Sequence, residues 1–115
     1  MASRRFKLVF FCPADKTHRV LEQLFGRFPG QLGRIGNYEQ CAFLTKGIGQ
    51  FKPVGAANPA IGEVGQLEHI EEHRVEISVR DSANDHQGIK DIISELKKVH
   101  PYEEVAYDVY QLMDF

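Results

Sequence analysis

Two stretches of this 115-residue chain repeat their apolar side chains at helical spacing, and each is bracketed by stretches that alternate at the twofold spacing of a strand. That order restricts the fold more than any other feature of the sequence. Phe6, Leu8, Phe10 and Cys12 occupy every second position, and Val9 and Phe11 between them are apolar too. A strand that is apolar on both sides is a central strand, covered on both faces. After Pro13 the period changes, and Val20, Leu21, Leu24, Phe25 and Phe28 mark the inner stripe of a helix. Asp15 stands where a carboxylate can accept the free N–H groups at the start of that helix, and Pro29-Gly30 ends it.

A glycine-rich passage runs to Asn37 and leads to Cys41–Thr45, which is expected to be a short strand paired in a hairpin with Gly47–Phe51. The stretch from Pro53 to Gly65 holds three glycines and two prolines and reads as an ordered loop. From Leu67 to Arg80 the chain is extended, with Val75, Ile77 and Val79 alternating with Glu76, Ser78 and Arg80. Asp85 can cap the next helix, whose buried side carries Ile89, Ile92, Ile93 and Leu96; Lys97-Lys98 suit its carboxyl end, and Pro101 stops it. Val105 to Leu112 alternates again as a last strand. Two helices crossing between strands and packed on one face of a largely antiparallel sheet form the split βαβ arrangement, an α+β fold of the ferredoxin-like type. The length fits a single domain over residues 1–115.

Composition narrows the partners. A formal net charge of −2, with acidic and basic residues interspersed, leaves no excess of cations to neutralise phosphates, so nucleic acid is not the expected partner. No apolar run reaches membrane-spanning length, and Phe6 to Cys12 is too short for the core of a signal peptide. No membrane partner and a cytoplasmic location are expected. Cys12 and Cys41 each lie in an apolar run far apart in sequence and read as buried thiols rather than a disulfide.

Three segments carry a family resemblance: Gly33-Arg-Ile-Gly-Asn-Tyr38 with Cys41; Gly47-Ile-Gly-Gln-Phe-Lys-Pro53 through Asn58-Pro-Ala-Ile-Gly62; and His100-Pro-Tyr-Glu-Glu104 with Ala106-Tyr-Asp108. They resemble the inserted middle domain of the Nif-three-like family, also called GTP cyclohydrolase type I, type 2-like. The match runs in order over nearly the whole chain. The resemblance implies a CutA- and PII-like fold and a habit of trimer formation through sheet edges. In full-length members a larger flanking domain carries a pair of metal ions held by His, Asp and Glu. This chain has no residues onto which that site can be carried, so no enzyme activity is expected.

The candidate site residues fall in the same segments. His100, Glu103 and Glu104 put an imidazole and two carboxylates within five positions, which suits a divalent metal ion; alternatively His100 closes the helix, Tyr102 packs and the glutamates are solvated. His69, Glu71 and His73 share one face of an extended strand, either as ligands or as its wet side. The Gly47 to Lys52 run lacks the spacing of a phosphate loop, although Lys52 beside it leaves room for an anion. Cys41 with His100 as its base is the remaining catalytic pattern, set against a plain core thiol.

Two functions compete. One is a non-catalytic oligomeric module for binding or assembly, a trimer that senses a small ligand at subunit boundaries through Asn37, Tyr38, Lys52, Asn58, His100, Tyr102, Glu103 and Glu104. The other is a divalent-metal-binding protein using His100, Glu103 and Glu104, with the metal ion as its cofactor. A separate partner protein carrying the missing larger domain is compatible with either.

Overall fold

The computed structural model describes residues 4–115. Six elements follow in the expected order: β1 (Arg4–Pro13), α1 (Thr17–Arg27), β2 (Phe43–Phe51), β3 (Glu68–Asp81), α2 (Gln87–Val99) and β4 (Tyr107–Leu112). The strands form one sheet in the order β2-β3-β1-β4, antiparallel at every pairing. With two helices on one face, this is the α+β, ferredoxin-like arrangement that the periodicities predict.

β1 pairs on both sides, Leu8 facing Ile77 of β3 and Val109 of β4, and its apolar sequence fits a strand shielded on both faces: Leu8 and Val9, on opposite faces, are both buried. Phe6, Leu8, Phe10 and Cys12 meet Val75, Ile77 and Val79 of β3 and the inward stripes Val20, Leu21, Leu24, Phe25 and Ile92, Leu96 of the helices in one buried core. Burying a side chain of this size stabilises the fold by about 1.5–3 kcal/mol. Leu32, fully buried, joins that core from the glycine-rich passage. There Gly33 donates its N–H to the Ser78 carbonyl and Arg80 donates to Gln31, so the passage serves as an extra pairing partner for the end of β3 that β2 does not reach. Gly33 holds φ +73, and a Cβ there would sit 2.6 Å from the Phe25 ring. Only glycine fits that crossing.

Two local expectations change. Residues 41–51 do not form a hairpin: Phe43–Phe51 is one uninterrupted strand that pairs along its length with β3, because Gly47 keeps extended backbone opposite Glu72. The turn of that hairpin is the long loop 52–67 instead. Asp15 does not cap α1, which has Lys16 at its N-cap and no side-chain capping bond; Thr17 Oγ1 donates instead to the Pro13 carbonyl at 3.3 Å. Asp85 accepts the Gln87 N–H at 3.1 Å as expected. A second carboxylate, Asp81 at the end of β3, accepts the N–H groups of Ala83 at 2.9 Å and Ile89 at 3.0 Å, supplying acceptors to the amino end of α2 from the sheet.

The helices cover only part of the sheet. β2 and the first half of β3 run on as a two-stranded arm, and the molecule measures 49 × 26 × 25 Å. Among the described residues no helix is long and apolar enough to cross a membrane.

Candidate functional site

The cavity of interest lies where the arm leaves the body, on the sheet face turned away from the helices. Register puts Phe11 of β1, Glu72 of β3 and Gly49 and Phe51 of β2 on that face, since each is an odd number of positions from a core residue of its own strand. Loop 52–67 folds over one side, and Tyr102, Glu103, Glu104 and Ala106 close the other. The space is a cleft of about 430 Å³, half open to solvent and within the range of small-molecule sites, and its walls are mainly apolar: Phe11, Phe51, Pro53, Val54, Pro59 and Ile61.

Polar contacts fix this enclosure. Gly65 donates its N–H to the Pro53 carbonyl at 2.8 Å and draws the ends of the loop together. The Asn58 N–H donates to Glu103 Oε1 at 2.9 Å, tying the loop to the opposite wall. Tyr102 donates its hydroxyl to Glu72 Oε2 at 3.2 Å and packs against Phe51 with ring centroids 5.9 Å apart. Gly49 leaves room for Glu72: a Cβ at that position would overlap the carboxylate.

His100 supports the site from below. It is 5% exposed. Its Nδ1 accepts the N–H of Tyr102 at 3.0 Å, so the proton of the neutral ring sits on Nε2, which donates to the Phe11 carbonyl at 2.7 Å. Burial lowers its pKa below the ordinary value, against the opposing pull of the Phe11 carbonyl. Both nitrogens thus serve backbone groups, and they join the start of the 100–106 segment to β1. Burial and the neighbouring Glu72 carboxylate push the Tyr102 hydroxyl well above the usual phenol value, which keeps it a proton donor.

The structure therefore brings together five of the residues singled out in the sequence. Lys52, Tyr102, Glu103 and Glu104 line the cavity, and Asn58 latches its loop. His100 lies beneath it rather than in its wall. Asn37 and Tyr38 do not line it: Tyr38 pairs backbone to backbone with Ile35 in a tight turn and is 74% exposed.

The metal reading meets a geometric obstacle. Among the described residues no group of three or more His, Cys, Asp or Glu side chains is placed to hold a metal ion, and His100 would have to give up one of its two backbone partners to become a ligand. His69, Glu71 and His73 do share a face of β3, but the ring nitrogens turn to other partners: His69 Nε2 to Gln50 at 2.9 Å and His73 Nδ1 to Thr17 at 2.7 Å. Cys41 contacts the Glu39 carbonyl and has no base, because His100 is committed elsewhere. The pKa of the Cys12 thiol is pushed up to about 11, first by burial and further by Glu72 and Asp15, against the lowering effect of the neighbouring Thr17 side chain.

Comparison with known proteins places these features in a larger frame. A GTP cyclohydrolase 1 type 2 homolog of Bacillus subtilis is 50% identical over 104 residues, which is 90% of this chain and 26% of that protein. Its counterpart in Halalkalibacterium halodurans is 43% identical over 107 residues, 93% of this chain and 27% of that protein. The chain is homologous to one segment of these proteins. It spans about a quarter of the length of the curated relatives it matches. No family model matches it. Among solved structures, a Bacillus cereus protein related to NIF3 superimposes over 99% of this chain and 27% of its own, with a TM-score of 0.74 and 34% identity. The periplasmic divalent cation tolerance protein CutA of Archaeoglobus fulgidus covers 96% of this chain and 86% of its own at a TM-score of 0.63 and 12% identity, a likeness of fold alone. The resemblance read from the three sequence segments is therefore shown, both to the GTP cyclohydrolase 1 type 2 homologs and to CutA.

Most of the cavity escaped sequence reasoning. Phe11 was legible only as the second apolar face of β1, and Glu72 only as one acid in the polar run Glu68–His73. The signal that marks them is the strand register, which sets Glu72 opposite Gly47 and diagonal to Gly49 of β2.

Proposed function

We propose that the chain is a non-catalytic binding and assembly module that holds a small ligand between loop 52–67 and the Tyr102–Glu104 segment, and that copies of it associate as a trimer. The observation that carries this reading is the cavity itself: about 430 Å³, apolar in its walls and fastened on both sides by hydrogen bonds that are already made. Two titratable groups at the site are each held in one protonation state, His100 beneath the cavity neutral and Tyr102 in its wall protonated. A general acid or base needs the opposite, a pKa near the working pH.

Assembly is supported by the edges of the sheet. β2 and β4 each have one neighbour within the chain, and Val109, Tyr110, Met113 and Phe115 leave a row of exposed apolar side chains along and beyond β4. Association through such edges is what the resemblance read from the sequence implies. The cytoplasm is the compartment that the two free thiols suit.

Light scattering, with and without zinc and a chelator, tests the assembly half: a trimer indifferent to both is expected, and a monomer under all conditions sinks it. A monomer that associates only with zinc would restore the reading of His100, Glu103 and Glu104 as metal ligands.

A further inference from the structure

The walls of the cavity have a charge preference. Three carboxylates line it, Glu72, Glu103 and Glu104, against the single ammonium of Lys52. Two of these carboxylates are held in place by uncharged donors, Glu72 by the Tyr102 hydroxyl and Glu103 by the Asn58 N–H. Neither bond neutralises the charge. Among the described residues, ion pairs form away from the cavity at Arg5–Asp114, Arg34–Glu39 and Arg74–Glu76. Lys52 is exposed, so its ammonium can stay in water.

The aromatic rings point the same way. Phe51 and Tyr102 meet at 57° with centroids 5.9 Å apart, and Phe11 completes the apolar side. Ring faces attract cations, most strongly where water is excluded. The chain displays this at Phe11, where the Arg74 guanidinium lies 5.8 Å from the ring centroid although Arg74 does not line the cavity. Gly49 adds the last feature: without a Cβ on β2, the Glu72 carboxylate lies across the strand towards Tyr102 and the cavity.

We propose that this cavity takes a small organic cation, an ammonium group carried on an apolar or aromatic body, with Glu72 as the counter-charge and Phe51 and Tyr102 as the ring faces. The inference rests on reading the cavity as a small-ligand site. It differs from the anion reading of Lys52, which one exposed ammonium facing three carboxylates does not favour. The raised pKa of Tyr102 agrees, because Glu72 contributes to it through its negative charge.

The test uses three probes with the same phenyl body and head groups of different charge, benzyltrimethylammonium, benzyl alcohol and benzoate, titrated into the ¹⁵N-labelled chain and followed by the amide signals of Phe51, Ala57 and Ala106. Benzyltrimethylammonium is expected to shift these signals at the lowest concentration and to weaken as salt is added. Glu72→Gln should weaken it about tenfold, and Phe51→Leu should weaken it several-fold while leaving benzyl alcohol less affected. Glu104→Gln, on an exposed side chain, provides a second charge variant should Glu72→Gln disturb the fold. Benzoate binding as tightly as the cation, or an affinity indifferent to both Gln variants, overturns the charge preference and leaves a small-ligand cavity standing. If no probe shifts the cavity signals, both readings fall.

Discussion

The two ends of the β2–β3 ladder use the same backbone pairing and are finished differently. At the body end, Val75, Ile77 and Val79 are sealed beneath α1 and α2, and every second residue is buried. At the arm end the pairing continues through Ile48 opposite Glu71 and Gln50 opposite His69, but no helix lies over it and Ile48 is 67% exposed. What covers the other face of the arm is a loop fixed by a few hydrogen bonds. Helices interlock side chains and leave no space, whereas a loop rich in glycine and proline can bridge a gap without filling it. The cavity is the product of that difference.

The comparison can be broken most directly by removing side chains at each end. Leu24→Ala, in the sealed core, should destabilise the chain by about 3–5 kcal/mol, whereas Ile48→Ala should cost less than about 0.5 kcal/mol; urea unfolding of the two variants measures both. Equal losses would show that the arm is packed as tightly as the body.

His100 ties the 100–106 segment beside the cavity to β1, and its loss should come next in size. His100→Ala leaves the Phe11 carbonyl and the Tyr102 N–H without partners at a buried position, at a cost of about 2 kcal/mol. The sign of its pH dependence follows from the lowered pKa. The stability contributed by the neutral ring is complete above the ordinary value of 6.5 and is lost as the pH falls below it towards the lowered folded value, because the unfolded chain takes up the proton first. The urea midpoint of the native chain should therefore drop below pH 6.5, and His100→Gln should flatten that segment of the profile.

Gly49→Ala sharpens the contrast at smaller energy. The added methyl displaces the Glu72 carboxylate, so the probe titration should lose its cation response while stability changes by only about 1 kcal/mol, the gain in strand preference offsetting the shift of one partly exposed side chain. The smallest expected effect concerns the thiols. Cys12 is fully buried, with a pKa of about 11, and Cys41 is only half-buried, so a thiol reagent at neutral pH should label Cys41 and reach Cys12 only as the chain unfolds. Two equally fast thiols would show that the Cys12 end of β1, next to the cavity, opens in the native state.

Much of the fold was legible because it is written in local periods. The apolar residues of β1 and β3, the stripes of both helices and the stop at Pro29-Gly30 follow from rules that act over a few residues. The errors have a common cause. Gly47 resembles a turn when its neighbours in sequence are considered, yet it lies within β2 because the ladder partner across it, Glu72, is 25 positions away. Asp15 resembles a cap, but α1 takes Lys16, one residue later, as its N-cap, while Asp81, distant from any helical pattern, reaches α2 from the end of a strand.

By itself the sequence determined the class of fold, the order of its elements and the kinship with a segment of larger proteins, since periodicity and motif order survive without knowledge of what touches what. Only the tertiary structure decided that His100 serves backbone groups rather than a ligand, that Asn37 and Tyr38 stand apart from Lys52 and Tyr102, and that Phe11, Phe51 and Glu72 share one enclosure. Each of those facts depends on register between strands distant in sequence, where a shift of a single residue would turn the side chain to the opposite face.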